Sequence, residues 1–405
     1  MRRAVSKEQP GPLAGLLVAD FSRVVAGPFA AMLLGDLGAD VVKVERPGVG
    51  DDTRGYGPPF LGDSGSGASA YFVSVNRNKR GVAWDLSTEE GRRKGFRLAE
   101  QADVLIENFK PGTAERMGLG YEEVAASNPR VVYCSISGFG TSGEGATMPG
   151  YDFLVQALGG LMSVTGDEGG EPRKVGVAVV DVLTALFASN AILAALFERS
   201  SSGKGQRVEV DLLSCSLAAL FNQASTFVTT GLVPRALGNR HPSIAPYETL
   251  AAADRQMVVT VGNDGQFAAM TAVLGVAWMA FDALYSTNSA RVTNRDSMVL
   301  LLEAALSAKT AAEWVEALMA TGVPCGMVND LSEAFALADR VGLAPVAIPA
   351  AGAGPEAHVL LPDPRAQVAD PMRLSRTPVS YRAAPPRLGE HSAEVEDELG
   401  IGQAG

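Results

Sequence analysis

The sequence predicts an α/β protein, with a parallel sheet carrying helices on its faces and a smaller α+β region after it. Three observations predict this. Short Val- and Ile-rich runs alternate with helix-like runs through the first third of the chain, the pattern of strand–helix–strand units. The chain has 405 residues, 47% of them apolar and 20% charged, which is enough for a large core and more than one domain. After about residue 228 the regular alternation stops and an irregular, loop-rich texture begins.

The elements follow in order. Gly15–Asp20 reads as a strand, Pro28–Asp36 as a helix and Ala39–Glu45 as the next strand. A strand is expected near Val82–Leu86, a helix over Thr88–Gln101, and strands at Asp103–Ile106 and Val131–Ser137. The apolar stretch 175–197 approaches membrane-spanning length. Asp181 and Asn190 interrupt it and Gly, Ser and Thr dilute it, so it reads as a buried helix. Ser200–Gly205 is a turn into the strand Gln206–Asp211.

Beyond it, Gly238–Tyr247 is an irregular loop, Met257–Val261 a strand and Gln266–Leu274 a short helix. Helices are expected near Ser297–Ala308 and Ala311–Ala320. The expected division is a large domain over 1–227, a small domain over 228–328 and a C-terminal part, 329–405, that returns to the large domain. Residues 345–370 are rich in Ala, Gly and Pro and read as a surface excursion; a short acidic helix closes the chain. Met1–Pro10 carries two arginines but no apolar segment and reads as a loose tail.

Composition narrows the function. A formal net charge of -11 without a run of Lys and Arg argues against nucleic acid as the main partner. It leaves room for a phosphorylated small ligand, which needs only a few local cations. Cys134, Cys215 and Cys325 are scattered, without a CxxC pair; this fits a reducing cytoplasm and gives no sign of a metal site. The first turn, Ser22–Pro28, lacks GxGxxG, so an ordinary dinucleotide site is not supported.

Asp181 is the most informative residue. It stands between a Gly-punctuated apolar run and a long apolar stretch. A carboxylate there is either a helix N-cap or a reactive group in a dry site, and the two readings are compatible. Glu107–Gly112 follows a strand, the usual ligand position of a parallel sheet, though a plain turn is equally consistent. The post-strand loop Lys43–Arg54 offers Arg46 and Arg54 as phosphate holders or as solvated surface charges. Asn76–Arg80 is a weak basic cluster.

Together these segments resemble the class III CoA-transferases, the group that also contains acyl-CoA racemases. The motifs that carry the resemblance are Asp20–Pro28, Leu37–Pro47, Asn78–Arg80, Glu107–Gly112, Asn128–Arg130, the run up to Asp181, Gly203–Val210, Val323–Gly326 and Pro386–His391. They span nearly the whole chain. The resemblance implies a Rossmann-like large domain and a homodimer of two interlocked chains. It implies Asp181 as the catalytic aspartate. Arg46, Asn108, Phe109 and Arg116 match CoA-binding positions, and Val25 and Ala26 match backbone-contact positions. Trp84 to Ser87 matches a stretch lining the adenine end, without the basic residue that some relatives have at Ser87. Tyr151, in Gly150–Asp152, matches a loop near the thioester.

Two departures bear on the reaction. The racemases carry a proton-transferring His where this chain has Tyr151, which counts against racemase activity. Formyl-CoA transferases have a glycine-rich lid where this chain has Asn239–Ser243, which counts against formyl-CoA and oxalate as substrates. There Arg240 and His241 would hold a substrate carboxylate, or His241 would cap a loop. The expected activity is transfer of CoA from an acyl-CoA to a carboxylic, possibly dicarboxylic, acid through a covalent aspartyl intermediate. Acyl-CoA and CoA serve as substrates, with no tightly bound cofactor or metal and no nucleic-acid or membrane partner. Racemisation by α-proton exchange is the alternative, and a non-enzymatic CoA-binding protein the third reading. Each step of transfer passes through an oxyanion, which calls for backbone N–H donors; Gly138–Gly140 and Gly159–Gly160 are the candidates.

Overall fold

Leu17–Asp20 (β1), Asp40–Glu45 (β2), Lys79–Ala83 (β3), Val104–Glu107 (β4), Val132–Ser137 (β5) and Gln206–Asp211 (β6) form one sheet. In this computed structural model, which describes residues 11–61, 69–349 and 366–401, the strand order is β3-β2-β1-β4-β5-β6. Every neighbouring pair is parallel. The expected tail, Met1–Pro10, lies outside the described residues, and so do residues 350–365 of the expected surface excursion.

The apolar runs become central strands because the sheet is covered on both faces. Side chains alternate between two cores. Val18, Val41, Val104, Ile106, Val132 and Cys134 pack on one face with Ala30, Leu34, Ala188 and Ile192. Leu17, Ala19, Val42, Leu105 and Tyr133 pack on the other with Leu98, Val124, Val395 and Leu399. The last two belong to the acidic C-terminal helix Ser392–Glu398 and the residue after it. Helix Glu89–Gln101 starts as expected: Thr88 accepts from Gly91 N, and Glu89 and Glu90 occupy its first turn.

The third strand departs from expectation. It runs over Lys79–Ala83 rather than Val82–Leu86. An apolar-run criterion misses it because Lys79 is charged yet fully buried, donating to Asp20 Oδ2 (2.9 Å), Pro28 O (2.8 Å) and Asn76 Oδ1 (2.9 Å).

Helix Val179–Ser202 has the length and hydropathy to cross a membrane. Here Ala185, Ala188, Ile192 and Ala195 pack into the first core. The helix ends at Gly203, whose φ of 76° supplies the left-handed C-cap. Arg199, near that end, binds Asp103 Oδ1 (3.0 Å) and Arg130 O (2.8 Å), at the starts of β4 and β5. The helix therefore runs against the strand direction, and Asp181, in its first turn, comes to the carboxyl edge of the sheet.

The chain divides into two compact units, one of residues 1–161, 175–225 and 344–405, the other of residues 162–174 and 226–343. Residues 329–343, assigned from sequence to the C-terminal return, cluster with the second unit, where Leu331–Arg340 forms a helix. The second unit is built on an antiparallel sheet of Tyr247–Ala251 (β7), Gln256–Thr260 (β8) and Cys325–Met327 (β9). Its core gathers Leu250, Met257, Val259, Phe267, Leu302 and Trp314.

Candidate active site

Strand order reverses between β1 and β4, and the crevice beyond such a reversal is where open parallel sheets bind ligands. The two loops that leave these strands are fastened to each other. Asn108 Oδ1 accepts from Arg23 N (2.9 Å), and its Nδ2 donates to Arg23 O (2.7 Å). Val24 next to it has φ of +70°, a left-handed conformation that is an outlier for a β-branched residue and costs about 1–3 kcal/mol. Helix Ala26–Asp36 then begins without a side-chain cap. Gly27 is required here, since a Cβ on it would stand 2.2 Å from Ser22 Cβ.

Buried charge lies directly under this turn. Lys43 pairs with Asp51 (2.9 Å) and Lys79 with Asp20 (2.9 Å), all four inaccessible to solvent or nearly so. Burial is the largest single influence and would raise both carboxyls, but the lysines together with hydrogen bonds from Thr53 and Ser22 outweigh it: Asp51 falls to about 2 and Asp20 also lies below its ordinary value.

Asp181 sits in the first turn of its helix but is not its cap. The N-cap is Ala178, which has no capping side chain. Asp152 takes that role: its Oδ1 accepts from Val180 N (2.8 Å) and Asp181 N (3.3 Å). Gln156 holds the other oxygen of Asp152 (2.6 Å) and accepts from Val175 N (2.9 Å). The Asp181 carboxylate takes no hydrogen bond or ion pair among the described residues. Burial pushes it up to about 7, with the neighbouring charge of Asp152 adding to the shift. The two carboxylates thus have divided tasks: one is spent on the helix terminus, and the other is free and hard to ionise.

Tyr71 lies close enough that, after its own burial, the charges of Asp181 and Asp152 raise its hydroxyl. Its ring meets Tyr56 edge-on at 5.6 Å. Tyr151, 64% exposed, directly precedes Asp152. The backbone returns to Tyr151 through Gly138 and Gly150, which are back to back; a Cβ on Gly138 would stand 2.4 Å from Gly150 Cα.

The structure sorts the other expected residues. Val25 and Ala26 are buried at the helix start. Arg46 is half exposed and pairs with Asp52 at 2.8 Å. Arg116 is free of acidic partners among the described residues and bonds Thr113 Oγ1 at 2.7 Å. Phe109 packs against the second core. Trp84 is 3% exposed, and its Nε1 donates to Glu396 (2.8 Å), so its ring is a group of the second core. Arg54 is consumed by Glu45 in a two-bond pair (2.7 Å each) and stacks on Phe72; it holds the loop together and is not available to a phosphate. Of the glycines expected to donate to an oxyanion, Gly140 N is bonded to Ser137 Oγ (3.1 Å) and Gly159 N to Val155 O (2.7 Å).

Arg240 and His241 belong to the second unit. Arg240 faces Asp296 (3.1 Å), Glu248 (3.5 Å) and Glu168 (3.6 Å). It borders a cleft of about 400 Å³ with Arg295 and Asp296. His241 Nδ1 accepts from Ser243 N (3.0 Å), which is a loop-capping bond. Among the described residues no cluster of His, Cys, Asp and Glu is placed to hold a metal.

Sequence reasoning missed the capping role of Asp152 and the buried pairs of Lys43 and Lys79. The Asp152–Gln156 spacing of four residues was a legible signal; the lysines carried none, because Asp20 lies 59 residues from Lys79 and Asp51 meets Lys43 only where the loop between them turns back.

Residues 13–392 match the protein family described as CoA-transferase family III. The chain belongs to that family. It is 41% identical over 392 residues to the succinate–glutarate CoA-transferase of Agrobacterium fabrum, covering 96% of each chain. It is 40% identical over 335 residues to the acetyl-CoA:oxalate CoA-transferase of Acetobacter aceti, covering 82% of this chain and 85% of that one. Among solved structures, a CAIB/BAIF family protein from Brucella suis superposes with a TM-score of 0.84 at 40% identity, over 96% of this chain and all (100%) of that one. This member of CoA-transferase family III is accordingly an enzyme that moves CoA between an acyl-CoA thioester and a carboxylic acid.

Proposed function

We propose that Asp181 is the nucleophile of this transfer and that the acceptor is a short dicarboxylate. The observation that carries the proposal is the Asp181 carboxylate, unpaired among the described residues at the carboxyl edge of the sheet and raised to about 7 while Asp152 takes the capping bonds. A poorly solvated carboxylate is a better nucleophile than a hydrated one. Its oxygen attacks the thioester carbonyl; the C–S bond breaks and CoA thiolate leaves, giving a mixed anhydride. The thiolate attacks the aspartyl carbonyl and expels the donor acid, leaving an aspartyl-CoA thioester. The acceptor carboxylate attacks that thioester, and the returning thiolate takes the acceptor's acyl group. Asp181 is regenerated with no net proton change.

Dicarboxylate acceptors are supported by relatives named for succinate, glutarate and mesaconate. The test is a succinyl-CoA donor with a panel of free acids, following the new CoA ester. Transfer to glutarate or a similar diacid is expected; turnover only with monocarboxylates overturns the acceptor reading. Arg240→Ala is expected to raise the acceptor KM and leave CoA affinity alone. If neither parameter moves, Arg240 serves only its own three ion pairs.

Arg116, exposed and free of acidic partners among the described residues, is the cation best placed for CoA phosphate. Arg116→Ala is expected to weaken CoA binding by about 1.5–3 kcal/mol in calorimetric titration; unchanged affinity puts the nucleotide elsewhere. Three free cysteines support a cytoplasmic location. Phe197 and Phe221, 79% and 80% exposed, and the half-exposed Leu186 and Phe187 leave apolar surface on the first unit, which supports a homodimer. The interface should far exceed the roughly 1,600 Å² of standard complexes. Light scattering is expected to give twice the chain mass; a stable monomer at micromolar concentration contradicts this.

A further inference from the structure

Val24 holds the strained conformation in the turn that leads to the helix start. Five backbone polar groups at and before it, in Ser22, Arg23 and Val24, are claimed by side chains. Asp20 accepts from Ser22 N (3.0 Å), Lys43 donates to Ser22 O (3.0 Å), and Asn108 takes both groups of Arg23. Asp51 accepts from Val24 N, with both of its oxygens at 3.3 Å. The next three N–H groups, of Val25, Ala26 and Gly27, take no bond among the described residues. Asp51 is fixed in turn by Thr53, through N (3.0 Å) and Oγ1 (2.7 Å).

A salt bridge whose purpose was to hold strands together would bond the sheet. This one bonds the turn. We propose that Lys43 and Asp51 are positioning residues: their buried pair keeps Val24 left-handed and so aims the Val25 and Ala26 N–H groups at the bound acyl-CoA. The inference rests on the reading of this turn as part of the CoA site. It accounts for a β-branched residue held where glycine would sit without strain. It also accounts for the position of two full charges beneath a ligand-facing loop: a buried, hydrogen-bonded pair is stiff, and a stiff turn binds ligand without first having to be ordered.

Removing one partner alone leaves the other charged in a dry site, so the pair is replaced together, as Lys43→Met/Asp51→Leu. The full-length protein is titrated with CoA, and acyl-CoA kinetics are measured in parallel. In the pair variant, the CoA Kd and the acyl-CoA KM are expected to rise about tenfold, more than kcat falls. Adding Val24→Gly to that variant is expected to restore part of the affinity, because glycine reaches the left-handed region unaided. A folded pair variant with wild-type CoA affinity overturns the proposal, and so does a triple variant no better than the pair variant. Should the pair variant fail to fold, the triple variant is expected to fold and bind CoA; an unfolded triple variant overturns the proposal. Wild-type protein that does not bind CoA at all defeats the site reading itself, which separates the two failures.

Discussion

Asp181→Asn is expected to lose at least about ten-thousand-fold in transfer rate, the scale seen when a covalent nucleophile is removed. The amide has no anionic oxygen to attack a thioester. The fold should persist, because the helix terminus is capped by Asp152 through Val180 N and Asp181 N, and the Asp181 side chain has no part in those bonds. Stability should in fact be no lower. The carboxyl rises from 3.8 to about 7 on folding, so the folded state binds a proton that the unfolded state has released. That stabilises the protein relative to an always-ionised group only below the folded value. As pH climbs from 3.8 through about 7 the advantage is lost, and above it the buried charge is a full penalty. Melting of Asp181→Asn at pH above 7 should therefore match or exceed wild type, and the gap should narrow toward acid. Near-normal turnover in Asp181→Asn, with deamidation excluded by mass, contradicts the proposal.

The second large effect is on pH dependence. Attack needs the ionised carboxylate, so kcat/KM for acyl-CoA should fall about tenfold per pH unit below about 7 and level off above it. Burial is the larger cause of the raised value and the charge of Asp152 the smaller. Asp152→Asn keeps an oxygen that can accept from Val180 N while removing that charge. It should shift the limb to lower pH without flattening it. A wild-type profile that is flat from about pH 5 to about pH 8 would show that the rate does not depend on this ionisation.

The sheet was legible wherever strands are apolar on both faces. Val41, Val42 and Val44 or Val104, Leu105 and Ile106 announce buried parallel strands without ambiguity. β3 was displaced because Lys79 and Arg80 look like surface residues until their partners are known. Lys79 is neutralised by Asp20, and Arg80 reaches Asp40 (2.7 Å) and Glu394 (2.9 Å), the latter from the far end of the chain. No local pattern encodes such pairings.

The site shows the same division. Asp181 stood out because a carboxylate in an apolar run needs a reason, yet sequence could not separate cap from reactive group. The separation depends on Asp152, which approaches from a different helix. Arg54 and Arg46 are equivalent in sequence as post-strand cations. Only burial distinguishes them: Glu45 encloses one, while the other is half exposed beside Asp52. Trp84 sits in a stretch matched to the adenine end, but its ring is turned into the core.

The most direct test of the central claim is the intact mass of wild-type protein incubated with acyl-CoA and no acceptor acid. The account predicts a covalent adduct that hydroxylamine or borohydride traps and that peptide mapping assigns to Asp181, absent from Asp181→Asn. Productive transfer with no trappable adduct, or an adduct mapping to another residue, would contradict it.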